Sequence, residues 1–112
     1  MGKLSITGTA LASAGTPLPR AIVCANDLAA VGALHALGRR GVPVPGSVAV
    51  TGFDDIPVAR RLRPGLTTVR QPIQELGGIA FELLESLVRK RQPEPRDVVL
   101  PTQLIRRESC GC

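Results

Sequence analysis

Two short apolar runs, at residues 21–25 and 47–53, each end in a polar pair, Asn26-Asp27 and Asp54-Asp55, and a helix-period segment separates them. No other feature constrains the fold as tightly. In a parallel β-α-β unit both runs point the same way, so their polar ends lie side by side at one edge of the sheet. That edge is where open α/β sheets take their ligands. The groups placed there are small, directional hydrogen-bonding side chains, with no evident catalytic machinery.

The rest of the chain continues the alternation. Asn26 or Asp27 supplies an N-cap, and Leu28, Val31, Leu34, Ala36 and Leu37 follow at helical spacing. Gly38, Gly41, Pro43 and Pro45 close that helix. Residues 54–65 form a loop rich in charge and proline, and residues 66–69 read as a third strand stopped by Pro72. The strongest helical pattern covers residues 73–90, where Ile73, Leu76, Ile79, Ala80, Leu83, Leu84 and Leu87 make a wide apolar face. Gly77-Gly78 within it is expected to allow close packing against the sheet. Residues 98–100 and 102–105 are expected as two final strands around Pro101. Residues 1–20 read as irregular, with at most one short extended or helical piece at residues 4–11. This order predicts an α/β fold, a three-layer, Rossmann-like parallel sheet flanked by helices. Two full helices are few for such a sheet, which points to a piece of something larger.

Composition narrows the function classes. The chain has 112 residues, enough for one small domain, and its two Phe with no Tyr or Trp leave the core to aliphatic side chains. The same scarcity argues against a stacking surface for single-stranded nucleic acid, which needs aromatic faces. The net charge of +5 comes with basic groups at Arg39-Arg40, Arg60-Arg61 with Arg63, Arg89-Lys90-Arg91 and Arg106-Arg107. A phosphate-binding face is one reading of these. Dispersed, solvated helix ends and loops are the plainer one, since cations suit helix C-termini. No apolar run approaches the roughly 20 residues of a membrane helix, and no secretory leader is evident. Three cysteines do not make an even disulfide framework, which fits a reducing, cytoplasmic setting. Cys24 lies in an apolar run as a small hydrophobe. Cys110-Gly-Cys112 could chelate or oxidise, but no further ligand stands nearby, so no metal is expected.

Enzymatic readings find little support. Asp54 and Asp55 are adjacent, so on an extended strand end their side chains diverge. A glycosidase needs two carboxyl groups converging on one bond. His35, the single histidine, sits in a helix with no serine–aspartate arrangement attached, which suits a surface or interface position. The glycines fit neither a dinucleotide turn nor a phosphate loop, so no cofactor is implied.

Four phrases, CANDLAAVGALHALGRRG, VPVPGSVAVTGFDDIPVAR, PGLTTVRQPIQELGGIAFELL and LPTQLIRRES, occur in this order without a major gap. Together they closely resemble the C-terminal part of LacI/GalR-type bacterial transcriptional repressors, from about Pro19 to Ser109. The resemblance implies a partial C-terminal lobe of a type I periplasmic-binding-protein-like sensor at residues 21–109, preceded by an irregular or substitute segment at 1–20 and followed by a tail at 110–112. Such sensors hold a small sugar or related metabolite between two lobes and act on DNA through a helix-turn-helix headpiece. Headpiece, hinge and first lobe find no counterpart here, as expected of an excised fragment or a truncated product.

The resemblance also implies roles for single residues. The AND phrase places an effector contact at Asn26, where the residues alone equally support a plain helix cap. Asp27 is expected as cap or backbone organiser. The GFDD phrase places a second effector contact at Asp54, whose carboxylate would accept charge-assisted hydrogen bonds from hydroxyls. Asp55 would organise the turn, and Phe53 would line the cleft or join the core. The face around Val31, Leu34 and His35, with Ile56, Arg60 and Leu62 from the loop, corresponds to the region through which family sensors dimerise. A homodimer or larger assembly is expected, because an incomplete lobe leaves a sheet edge open, and residues 1–20 could donate a strand. Two other readings are a sugar-binding component of an ABC transporter, which uses the same fold, and a structural fragment that binds no ligand.

Overall fold

The computed structural model describes residues 17–92, 95 and 97–112. The expectations for residues 1–16, including the piece at 4–11, lie outside the described residues. The chain divides into two compact units, Met1–Arg70 with Leu104–Cys112, and Gln71–Gln103.

In the first unit β1 (Ala21–Val23) lies parallel to β2 (Ala49–Thr51), pairing Ala21 with Ala49, Ile22 with Val50 and Val23 with Thr51. The Cys24 N–H extends this ladder to the Thr51 carbonyl at 2.9 Å. On the other side of β2, parallel bridges join Thr51 to Thr67 and Asp54 to Arg70. They bring in β3 (Thr68–Arg70), with the Gly52 and Asp54 N–H groups donating to the Thr67 and Val69 carbonyls. β4 (Gln103–Ile105), whose last two residues belong to this unit, is the neighbour of β3. The parallel α/β pattern read from the sequence is therefore present, with spatial order β1-β2-β3-β4.

Helix α1 (Asp27–Arg39) packs on β2 and buries Ala30, Ala33 and Leu37. This departs from the expected stripe, since Leu28 is 70% exposed. The alanines win because the helix backbone itself comes close to the sheet, filling space that larger side chains would otherwise occupy. Val48, Val50, Ala59 and Leu66 complete the buried cluster, with Leu18, Ile22, Cys24, Leu34, Val42, Val44 and Leu62 around it. The helix closes as its glycines suggest: Gly41 takes φ 68°, and the Val42 N–H returns to the Leu37 carbonyl at 3.0 Å.

In the second unit, helix α2 (Ile73–Val88) forms where its periodicity predicts, but no residue of it is buried. A Cβ at Gly77 or Gly78 would meet nothing within 4 Å. Residues 98–100 do not form the expected strand, and Val99 is 93% exposed. Among the described residues no strand pairs with them, and strand propensity expresses little more than such a fit.

A 3-10 turn, Glu108–Cys110, follows β4 and buries Ser109. Cys110 and Cys112 are joined by a disulfide, the oxidation that their spacing left open, although the odd cysteine count pointed to a reducing setting. A Cβ on Gly111 would lie 3.2 Å from the Pro45 Cβ and 3.4 Å from its Cγ.

Candidate functional site

The ends of β1 and β2 meet as their parallel register requires. The Asp27 N–H donates to the Phe53 carbonyl at 2.9 Å, which ties the first turn of α1 to the chain leaving β2. Asn26 is the N-cap, its extended backbone letting Oδ1 accept from the Ala29 N–H at 2.8 Å. With Oδ1 engaged in the cap, the amide NH2 is the other polar end of Asn26, and it can only donate.

Asp27 is fully buried and does not cap. Its Oδ2 accepts from the Ile56 N–H at 2.8 Å and its Oδ1 from the Thr68 hydroxyl at 2.6 Å. A carboxylate at the first helical position is also favoured by the free N–H groups of α1. Asp27 is thus the backbone organiser, holding the loop after Asp55 against the helix and β3.

The Asp54-Asp55 pair has unusual backbone geometry, with φ 113° and 58°. Asp tolerates the left-handed region better than most residues, but φ 113° lies outside it, and such positions cost about 1–3 kcal/mol each. Three anchors hold the pair. The Asp54 N–H donates to the Val69 carbonyl at 2.9 Å, and the next residue, Ile56, is fixed by Asp27. Between them, Asp55 is clamped by two arginines, with Arg70 Nε at 2.7 Å and Arg107 Nη1 at 2.8 Å on separate carboxylate oxygens. Burial alone would raise the Asp55 carboxyl, but the hydrogen bonds and charges of Arg107 and Arg70 outweigh it and lower it below the ordinary carboxylate value. Phe53 and Asp54 are half-buried, and Phe53 is outside the buried cluster.

Several residues that support this edge were not singled out from the sequence. Thr67 and Ser109 interlock β3 with the C-terminal turn. The Ser109 hydroxyl donates to the Val50 carbonyl at 2.6 Å and accepts from the Thr67 N–H at 2.8 Å. The Thr67 hydroxyl donates to the Arg107 carbonyl and accepts from the Arg107 N–H. The adjacent Thr67 and Thr68, polar yet set in a strand, were the available signal. Arg70 and Arg107 offered none, since an arginine looks the same in sequence whether it is solvated or clamped.

Elsewhere, burial pushes the Cys24 thiol up, consistent with a small hydrophobe rather than a nucleophile. Among the described residues no group of three or more His, Cys, Asp or Glu could hold a metal ion. No helix of the described residues is long and apolar enough to cross a membrane. Of the expected self-contact set, His35 and Arg60 are exposed and Val31 and Ile56 half-buried, while Leu34 and Leu62 pack against the core.

Comparison with known proteins places this arrangement. Residues 3–110 match the periplasmic binding protein-like domain. A lactose operon repressor of Rhizobium radiobacter is 43% identical over 91 residues, which cover 81% of this chain and 80% of that sequence. The chain belongs to the LacI/GalR family of transcriptional regulators. A putative LacI-family regulator from Sanguibacter keddieii has the same fold, with TM-score 0.83 and 35% identity over 94% of this chain and 40% of that one. A periplasmic binding protein/LacI transcriptional regulator from Alkaliphilus metalliredigens, solved with D-xylulofuranose, aligns with TM-score 0.74 and 35% identity over 81% of this chain and 34% of its own. Most curated relatives are much longer: the chain spans 26–28% of several of them. It is therefore a fragment of a LacI-type effector-binding domain, and its relatives are regulators rather than enzymes.

Proposed function

We propose that this chain forms one wall of the effector site of a LacI-type regulator, with a small sugar or related polyhydroxy metabolite as ligand. The observation that carries the reading is the strained Asp54-Asp55 turn, clamped by Arg70, Arg107 and Asp27 beside the capped Asn26. Backbone strain held from several sides is a common mark of a functional position. Asn26 would donate and Asp54 accept, a complementary pair for hydroxyls on one ligand edge, with Phe53 as an apolar wall. The sugar in the Alkaliphilus structure supports this ligand class. DNA binding would belong to a helix-turn-helix headpiece beyond this chain, and regulation of transcription would place the protein in the cytoplasm.

The test is a calorimetric titration of the regulator carrying both lobes with a panel of pentoses and hexoses. Asn26→Ala and Asp54→Asn should each weaken the preferred sugar by roughly tenfold to a hundredfold, the range for a hydrogen bond involving a charged or buried group. Asparagine is chosen at position 54 because it tolerates unusual φ. Unchanged affinity in both variants would end the assignment. With one wall of the site, the 112-residue chain alone should show no sugar binding at micromolar concentration.

We also propose that two copies associate through the outer face of α1. Leu28 and His35 are exposed there, and Gly32 leaves room for close approach. Val31 and Ile56 would join the contact, Leu34 and Leu62 would support it from the core side, and Arg60 would flank it. Light scattering should show a concentration-dependent dimer that Val31→Glu converts to monomer. A well-folded wild-type monomer at every concentration would defeat the proposal.

A further inference from the structure

The basic groups that stand apart in sequence do not stay apart in the fold. Arg60, from the loop after β2, and Arg106 and Arg107, from the segment after β4, line one open groove of about 470 Å³, together with Gly65, Glu108 and Cys112. That volume suits a small ligand. Arg60 and Arg106 are exposed and have no ion-pair partner among the described residues. Arg107 is held rigidly, since its Nη1 donates both to Asp55 and, at 2.9 Å, to the Leu66 carbonyl. Its charge is only partly cancelled there, because Asp55 is shared with Arg70. Three guanidinium groups thus stand against the Glu108 carboxylate, the terminal carboxylate of Cys112 and a share of Asp55, which leaves the groove a small excess of positive charge.

We infer that this groove is a binding site for a compact multivalent anion, a phosphoryl group or a small polycarboxylate. Guanidinium groups are weakly hydrated and present planar donor forks that match the oxygens of both anion types. One fixed fork beside two exposed ones combines a preset orientation with further charge at the groove's rim. The lining leaves out Asn26 and Asp54 but shares Arg107 with the Asp55 clamp, so the test uses Arg60 and Arg106, which take no part in that clamp.

The experiment is an NMR titration of the 112-residue chain with inorganic phosphate and, separately, with citrate, chloride holding the ionic strength constant. Saturable shifts centred on Gly65, Arg106 and Arg107 are expected. Arg60→Gln and Arg106→Gln should each weaken binding about tenfold, the effect of losing one charge-assisted hydrogen bond. Arg63→Gln should change nothing, because Arg63 bonds to the Leu62 carbonyl and does not line the groove. Glu108→Gln should tighten binding about threefold by removing a like charge, a gain that misfolding cannot imitate. Stronger binding of phosphate than citrate assigns the site to phosphoryl groups, and the reverse assigns it to polycarboxylates. Shifts that never saturate, or that Arg60→Gln and Arg106→Gln leave intact, overturn the site.

Discussion

Gly52→Ala is expected to destabilise the chain by about 2–4 kcal/mol, in the upper range for overpacking a core. A Cβ on Gly52 would stand 3.0 Å from Leu66 Cδ2 and 3.2 Å from the Asp27 Cα, and would overlap the Asp27 carboxylate oxygen Oδ1. None of these neighbours can give way cheaply. The carboxylate is fixed by the Ile56 N–H and the Thr68 hydroxyl, and the Asp27 Cα is backbone at the start of α1. Moving that helix end would stretch the bond from the Asp27 N–H to the Phe53 carbonyl. Relief would therefore disturb the edge that carries Asn26 and Asp54. Urea unfolding should show the loss directly, and Gly38→Ala is the matched control. Gly38 lies in α1 with nothing within 4 Å of a Cβ, so alanine there should be neutral or stabilising by up to about 1 kcal/mol. Equal stabilities for the two variants would show that α1 can retreat from β2 at no cost.

The contrast between these glycines marks what the sequence reveals and what it conceals. Both stand in an α/β pattern whose strands and helices are legible from periodicity, because alternating burial needs only the identity of each residue. The polar ends at Asn26-Asp27 and Asp54-Asp55 were legible for the same reason: parallel strands bring their C-terminal ends together whatever the details. The direction of packing was not legible. The buried face of α1 runs through Ala30 and Ala33 rather than Leu28 because the helix approaches closely, a distance that no single residue encodes. The clamp on Asp55 was hidden as well, since Arg70 and Arg107 lie 15 and 52 positions away in sequence (55 to 70 and 55 to 107) and only β-pairing and the C-terminal turn deliver them. Residues 98–100 erred the other way, showing strand composition where no strand among the described residues pairs with it.

Asp27→Ala is expected to be at least as damaging, at about 2–5 kcal/mol, because it leaves two buried donors without an acceptor. The Ile56 N–H and the Thr68 hydroxyl both point at this fully buried carboxylate. Asp27→Asn separates hydrogen bonding from charge. Its amide oxygen can still accept from the Ile56 N–H, while its NH2 can donate to Thr68, whose hydroxyl is able to reverse and accept. The asparagine variant should therefore lose only the charge-assisted part, about 1–2 kcal/mol. Adding Thr68→Val removes the reversible partner and strands the new NH2, so the advantage of asparagine over alanine should vanish in that background. The same series should register at the proposed effector site, because Asp27 anchors the residue that follows Asp54-Asp55. Amide exchange at Ile56 should accelerate strongly in Asp27→Ala and little in Asp27→Asn. If alanine and asparagine cost the same and exchange alike, the buried charge at the start of α1, rather than the hydrogen bonds to Ile56 and Thr68, holds this edge together.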